Sequence, residues 1–249
     1  MSDDAIHWAD LTAEKIIRTL GEKEFYTVAS GITPSGVVHF GNFREVMTVD
    51  LVARALRERG KKVRFIFSWD DYDTFRKVPK NMPQQEKLAE MLFQPIVDVP
   101  DPYGKEESYA RHHQVAFEKQ LEKMGIEVEY LYQASKYRSG EYAPMIKKAL
   151  EQRDTIVAIL NKHRTEPLEA DWSAVSVYCE KCNRDKMAKI TYDGEGVNYH
   201  CELCGHQGHE KIEGSRRLKL PWRVDWPMRW AHEKVDFEPG GKDHSSEGG

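Results

Sequence analysis

Phe25-Tyr-Thr-Val-Ala-Ser30, Gly31-Ile-Thr-Pro-Ser-Gly36 and Val37-Val-His-Phe-Gly-Asn42 run together as an apolar segment, a turn-rich segment and a short polar approach to a helix. Beyond them Phe43, Met47, Leu51 and Ala55 recur at four-residue spacing with Val46 beside them, so one helical face is expected to be buried. Arg57, Arg59 and Gly60 supply a cationic helix end and a stop. Lys62-Val-Arg-Phe-Ile-Phe-Ser-Trp69 then reads as a buried strand ending in acids, Asp70-Asp-Tyr-Asp73. Strand, helix and strand joined by short loops predict a right-handed parallel βαβ unit. The fold class is therefore α/β, with a Rossmann-like parallel sheet.

In open α/β sheets, ligands sit at the carboxyl ends of strands, against helix N-termini. The first strand runs into Gly31, Gly36 and Gly41, which let backbone approach a bulky anion. Free N–H groups near Gly41 and Asn42 are expected to point at that anion, with His39 just ahead of them. Taken alone, His39-Phe-Gly-Asn42 reads more readily as a polar turn with a capping Asn, and its setting between a strand and an amphipathic helix is what reverses that reading. Neither the Gly-x-x-x-x-Gly-Lys-Ser/Thr loop nor Gly-x-Gly-x-x-Gly occurs, so the common NTPase and dinucleotide patterns are excluded.

Further along, helices are expected over about 106–124 and 141–163, with an alternating strand between them at Ile126–Tyr132. Five prolines between Lys77 and Pro102 mark a loop-rich excursion. The chain has 249 residues, 31% of them charged, and a net charge of −4. Hydrophobic residues make up 40%, an ordinary globular composition, and no apolar run approaches the length of a membrane span. The acidic start is no secretion signal, so no membrane partner and a cytoplasmic location are expected. Basic clusters at Arg54–Lys62 and Lys211–Lys219 read first as solvated surface, and net charge leaves RNA binding open.

The only cysteines are paired, Cys179-x-x-Cys182 and Cys201-x-x-Cys204. In a cytosolic chain that spacing points to a closed zinc site of four cysteine thiolates with a structural role. Two disulfides, a redox pair, or His200, His206 or His209 in place of a cysteine are the alternatives. The module is expected over 165–216, inserted between a first part at 1–164 and a return at 217–249.

Ser30-Gly-Ile-Thr-Pro-Ser-Gly-Val-Val-His-Phe-Gly-Asn-Phe-Arg-Glu45 resembles the HIGH region of class I aminoacyl-tRNA synthetases, in the form used by class I lysyl-tRNA synthetases. His39, Phe40, Gly41 and Asn42 fill the four HIGH positions. Trp69–Asp73 with Arg76–Pro79, Trp222–Trp230 and Gly241–His244 resemble the same family in the same order, so the likeness covers nearly the whole chain. It implies ATP-dependent activation of lysine to lysyl-adenylate and transfer to tRNA-Lys. That first step needs alignment and charge stabilisation rather than a general base. His39 and Asn42 are the expected catalytic residues, and Mg²⁺ would arrive with ATP. The expected ATP site comprises Thr33, Pro34, Ser35, Gly36, His39, Gly41, Asn42, Gly241, Asp243 and His244, with Asp243 toward the ribose. Gly31 and Thr33 would contact the amino acid.

A lysine ammonium in a partly desolvated pocket must meet a carboxylate, and Glu45, Asp70, Asp71 and Asp225 are the candidates. Trp226 either walls that pocket or sits in the core. An acidic pocket by itself would also suit arginine. The family's second signature, Lys-Met-Ser-Lys-Ser, is expected after His244 and does not occur in this chain. Lys186-Met-Ala-Lys189 lies between the cysteine pairs and is rejected as a chance match. The chain thus reads as the catalytic part of a longer enzyme. The alternatives are another HIGH-type nucleotidyl-transferring enzyme and a non-catalytic zinc-containing RNA-binding fragment.

Overall fold

The expected strand–helix–strand forms in the computed structural model, which describes residues 6–241. A first helix, α1 (Trp8–Leu20), precedes β1 (Tyr26–Ile32), α2 (Phe40–Glu58) and β2 (Val63–Trp69). β1 and β2 pair in parallel from Tyr26↔Val63 to Ile32↔Trp69. Their facing side chains Val28, Phe67 and Trp69 are essentially fully buried with Val49, Val52 and Leu56 of α2. Each such side chain contributes roughly 1.5–3 kcal/mol of transfer free energy. The buried stripe of α2 runs through Val46, Val49, Val52, Ala53 and Leu56. It is rotated from the expected one: Phe43, Met47 and Leu51 are only partly buried, on the flank of that core.

The excursion after β2 carries α3 (Gln85–Ala89) and a 3-10 turn at Ile96–Asp98. It has its own small core of Phe75, Met82, Leu88, Ile96, Val99 and Tyr109. Then follow α4 (Tyr109–Lys123), β3 (Glu129–Tyr132), α5 (Gln133–Arg138), α6 (Ala143–Glu151) and α7 (Arg153–Asn161). The long helix expected over 141–163 is thus two, broken at Gln152. β3 pairs in parallel with β2, so β2 is central.

The module lies between two short strands, β4 (Ser176–Val177) and β8 (Leu218–Lys219), which pair antiparallel and form its neck. Within it β5 (Met187–Tyr192), β6 (Gly196–Cys201) and β7 (Gln207–Lys211) make an antiparallel sheet. Tyr199, Val197 and Ile212 share one core with Tyr137, Tyr142 and Ile146 of the helical region. The module is therefore welded to the rest of the chain by common packing. Residues 165–175 run outside the neck.

α8 (Trp222–Glu233) leads the chain back to the sheet. Phe237 bridges Val28 in parallel, and Ala29 N–H donates to Phe237 O at 2.8 Å. This returning segment extends the sheet on the side of β1 opposite β2. The chain thus leaves β1 toward β2 on one side and returns from α8 on the other, which makes the carboxyl end of β1 a topological switch point, the usual ligand position in such sheets. Among the described residues no helix is long and apolar enough to cross a membrane.

Candidate active site

A cavity of about 960 Å³ opens at the carboxyl end of β1. Gly31, Thr33, Ser35, Glu45, Asp70 and Trp226 of the expected site all line it. Gly31 is required by a close approach: a Cβ there would stand 2.9 Å from the Ser68 carbonyl oxygen of β2. Thr33 donates its hydroxyl to Asp73 at 2.7 Å. Tyr109 of α4 donates to the Ser35 carbonyl at 3.0 Å, fastening the turn ahead of α2.

His39, Gly41, Asn42, Pro34 and Gly36 are outside the cavity lining, though Ser35 before them and Glu45 after them are in it. His39 is the N-cap of α2 and is exposed. Its Nδ1 accepts the Gly41 N–H at 3.1 Å, and the Asn42 side-chain oxygen accepts the His39 N–H at 3.3 Å. Asn42 N–H donates to the His39 carbonyl. The donors expected to stand free near Gly41 and Asn42 are therefore spent on capping, a correction to the sequence reading. With Nδ1 accepting, a neutral His39 ring carries its proton on Nε2. Gly241 is exposed with open space around it, and Asp243 and His244 lie outside the described residues.

The four candidate acids separate. Glu45 faces the cavity, accepting from the Ser30 hydroxyl at 2.9 Å and Gly31 N–H at 3.4 Å. Burial raises its pKa, with nearby Asp70 adding to the effect. Asp70 also faces the cavity but is tied to Arg229. Asp71 points away: it accepts from Ala134 N–H at 2.7 Å and Gln114 at 3.1 Å, beside a second cavity of about 630 Å³. Burial pushes its pKa up to about 6. Asp225 is also behind the wall, held by the Tyr137 hydroxyl and by Arg229 at 3.2 Å. Asp71 and Asp225 thus leave the set of acids that a ligand in the main cavity meets.

Glu238 joins that set without having been marked by the sequence. It sits at the end of the segment that bridges β1, lines the cavity, and accepts from the indole N–H groups of Trp226 and Trp230. Burial raises its pKa, and Glu45 adds to the shift. The available signal was an acid ahead of Pro239-Gly-Gly241, where a strand would end.

Five acids and five bases line the cavity, Glu45, Asp70, Asp73, Glu233 and Glu238 against Arg76, Lys77, Lys80, Lys219 and Arg229. Most are paired. Arg229 holds Asp70, Lys219 holds Asp73, and Glu233 meets Arg64 at 2.9 Å and Lys136 at 2.9 Å. Arg76 meets Asp185 at 3.1 Å. Among the described residues, Glu45 and Glu238 have no cation partner, and Lys77 and Lys80 have no acid partner. The cavity presents two surplus acids and two surplus cations.

In the module the four sulfurs converge, with Cys179 and Cys204 3.7 Å apart and Cys182 and Cys201 3.6 Å apart. All lie within 4.8 Å of one another, and none is in a disulfide. Sulfurs about 2.3 Å from a central tetrahedral ion stand about 3.8 Å apart, so the set fits a metal of zinc's size. The two knuckles repeat one another: Asn183 N–H donates to the Cys179 carbonyl, and Gly205 N–H to that of Cys201. Both closing residues take the left-handed conformation, with φ of 56° and 69°. His206 and His209 are engaged by Glu180 and Asp193, so neither completes the thiol set.

The sheet and the cavity at its switch point define an α/β ligand-binding domain of the nucleotide-binding type. A profile of the family described as tRNA synthetases class I (K) matches residues 6–249, and the chain belongs to that family. It is 56% identical over 244 residues to the lysine–tRNA ligase of Borreliella burgdorferi, covering 98% of this chain and 47% of that protein. It is 55% identical to the one from Thermococcus kodakarensis, with 98% and 46% covered, and 50% identical to that of Treponema pallidum, with 99% and 47%. The chain spans about half the length of these curated relatives.

Proposed function

We propose that this chain carries the amino-acid- and ATP-binding site of a class I lysine–tRNA ligase, which joins lysine to ATP as lysyl-adenylate and passes it to tRNA-Lys. The observation that carries the proposal is the pair of surplus acids, Glu45 and Glu238, in one cavity beside β1. Burying carboxylates without a counter-ion is costly, and both groups register that cost as a raised pKa. A lysine ammonium entering the cavity supplies the missing charge. Trp226 and Trp230 orient Glu238 through their indole N–H groups and wall the aliphatic stem. Gly31 N–H and the Thr33 hydroxyl lie beside the amino acid's backbone end.

ATP occupies the side toward the Thr33–Asn42 segment. His39 Nε2–H donates to a phosphate oxygen, and Gly41 leaves its ring room, since a Cβ there would be 2.9 Å from His39 Cε1. Asn42 holds the His39 backbone in place. The resemblance assigns contacts with the adenosine to Gly241 and to the Asp243 and His244 that follow it, outside the described residues. Mg²⁺ bound to the nucleotide neutralises phosphate charge. The protein's own share is alignment: the carboxylate of lysine is already a nucleophile, and no base is required. The four cysteines hold one structural zinc, fixing the module beside the site, and the molecule works in the cytoplasm.

Equilibrium binding of non-hydrolysable aminoacyl-adenylate analogues tests this reading. The lysyl analogue binds one to one and the arginyl and glutamyl analogues bind far more weakly. Equal affinity for all three, or none with a folded protein, refutes it.

A further inference from the structure

Lys77 and Lys80 sit on the excursion between β2 and α4, and both line the main cavity. Both are exposed, and two features bear on what they could hold. Neither has an ion-pair partner among the described residues, although every other charged base in the lining does. And the backbone that presents them is fixed. Met82 N–H donates to the Pro79 carbonyl at 3.1 Å, and the Gln85 side chain clamps the Pro79 and Met82 carbonyls, each at 2.7 Å. Met82 itself is buried in the excursion's own core.

This clamp also sets where the lysines stand. A Cβ on Gly36 would touch the Pro79 ring at 3.5 Å, so the lysine-bearing turn packs on the Thr33–Gly36 turn that leads into α2. Both lysines therefore join the cavity lining from the side of the turn that precedes the His39 cap, remote in sequence from the surplus acids Glu45 and Glu238. Lys219, the other lysine in the lining, is neutralised by Asp73.

We infer that Lys77 and Lys80 hold the β- and γ-phosphates of the nucleotide, and so position the pyrophosphate leaving group. This rests on the nucleotide reading of the cavity. A polyphosphate is the ligand whose chemistry matches: it brings several negative charges, and two lysines on a fixed turn meet them without first breaking an ion pair to a described residue. The leaving group departs as Mg²⁺-pyrophosphate when the lysine carboxylate displaces it from the α-phosphorus. The lysines neutralise charge and form no bond in that step.

The test compares ATP with AMP binding, in Mg²⁺, for the wild-type chain, the Lys77→Ala/Lys80→Ala variant and the Lys77→Arg/Lys80→Arg variant. AMP lacks the two phosphates at issue, so the ATP-to-AMP affinity ratio isolates them. Removal of both lysines lowers that ratio by about tenfold per lysine, leaves AMP affinity and the thermal midpoint unchanged, and is largely reversed in the arginine variant. An unchanged ratio with ATP still bound overturns the inference and leaves the nucleotide reading standing. That result would assign the lysines to another anion, such as an RNA backbone. Failure of the wild-type chain to bind either nucleotide overturns both.

Discussion

The cysteine module and the cavity at the end of β1 are both dense in reactive side chains, but they are completed differently. In the module four thiols meet one another, on two knuckles with the same hydrogen bond and the same left-handed closing residue. A site with no open position serves structure. In the cavity, ion pairs are finished wherever a wall has to be held, as with Arg229 to Asp70 and Asp225. They are left unfinished at Glu45, Glu238, Lys77 and Lys80. Charges without partners, lining a cavity, are what a charged ligand completes.

The largest effect should fall on the module. Chelation, or Cys201→Ser, should release one equivalent of metal and unfold the β5–β7 sheet, since structural zinc supplies about 10–16 kcal/mol of apparent binding free energy. Metal analysis with hydrogen exchange over residues 187–211 measures it. A module that keeps its amide protection without metal would break the contrast drawn above.

Next come the surplus acids. Glu238→Gln or Glu45→Gln should weaken lysine binding by about 2–4 kcal/mol, as loss of a buried charge partner does. Each should also slightly stabilise the ligand-free fold at neutral pH. The sign follows from the direction of the shift: both folded pKa values lie above the ordinary 4.5, so the neutral acid's contribution to stability is fully present below that value and is lost as pH rises through the folded pKa. Denaturant midpoints near pH 7 and pH 4 should differ between wild type and variant only at the higher pH.

Gly31→Ala should cost about 1–3 kcal/mol by overpacking β1 against the Ser68 carbonyl, read from the same midpoints. A smaller effect is expected on protons. Lysine binding favours the ionised acids, so its affinity should fall as pH is lowered through their raised pKa values. Titration heats in that acidic range should vary with buffer, because a proton is released on binding. The smallest effect belongs to the Arg54–Lys62 cluster, whose members pair with Asp50, Asp10, Glu14 and Glu22 at the surface. Arg59→Ala should barely move the denaturant midpoint and leave ligand binding alone.

The βαβ unit was legible because its signals are local. Alternation, helical spacing and glycine punctuation each act over a few residues. The cysteine pairs were legible for the same reason. α1 escaped notice because its buried face is Ala9, Ala13 and Ile16, two of them too small to mark a stripe, while Trp8 and Leu11 stay exposed. The acids show the limit most clearly. Asp70 and Asp71 are adjacent and both end β2, yet consecutive residues at a strand end face opposite ways, and only Asp70 meets the cavity. Glu238 reaches the site because a segment from the far end of the chain bridges Val28. No periodicity records such a pairing. The His39–Asn42 tetrapeptide takes the plainer of its two readings, a polar turn that caps α2.

The most direct test of the central claim is a crystal structure of this chain with a non-hydrolysable lysyl-adenylate analogue. The side-chain ammonium should lie within hydrogen-bond distance of Glu45 or Glu238, with the adenylate near the His39 end of the cavity. An ammonium resting on Asp71 or Asp225, or an analogue bound outside this cavity, would contradict it.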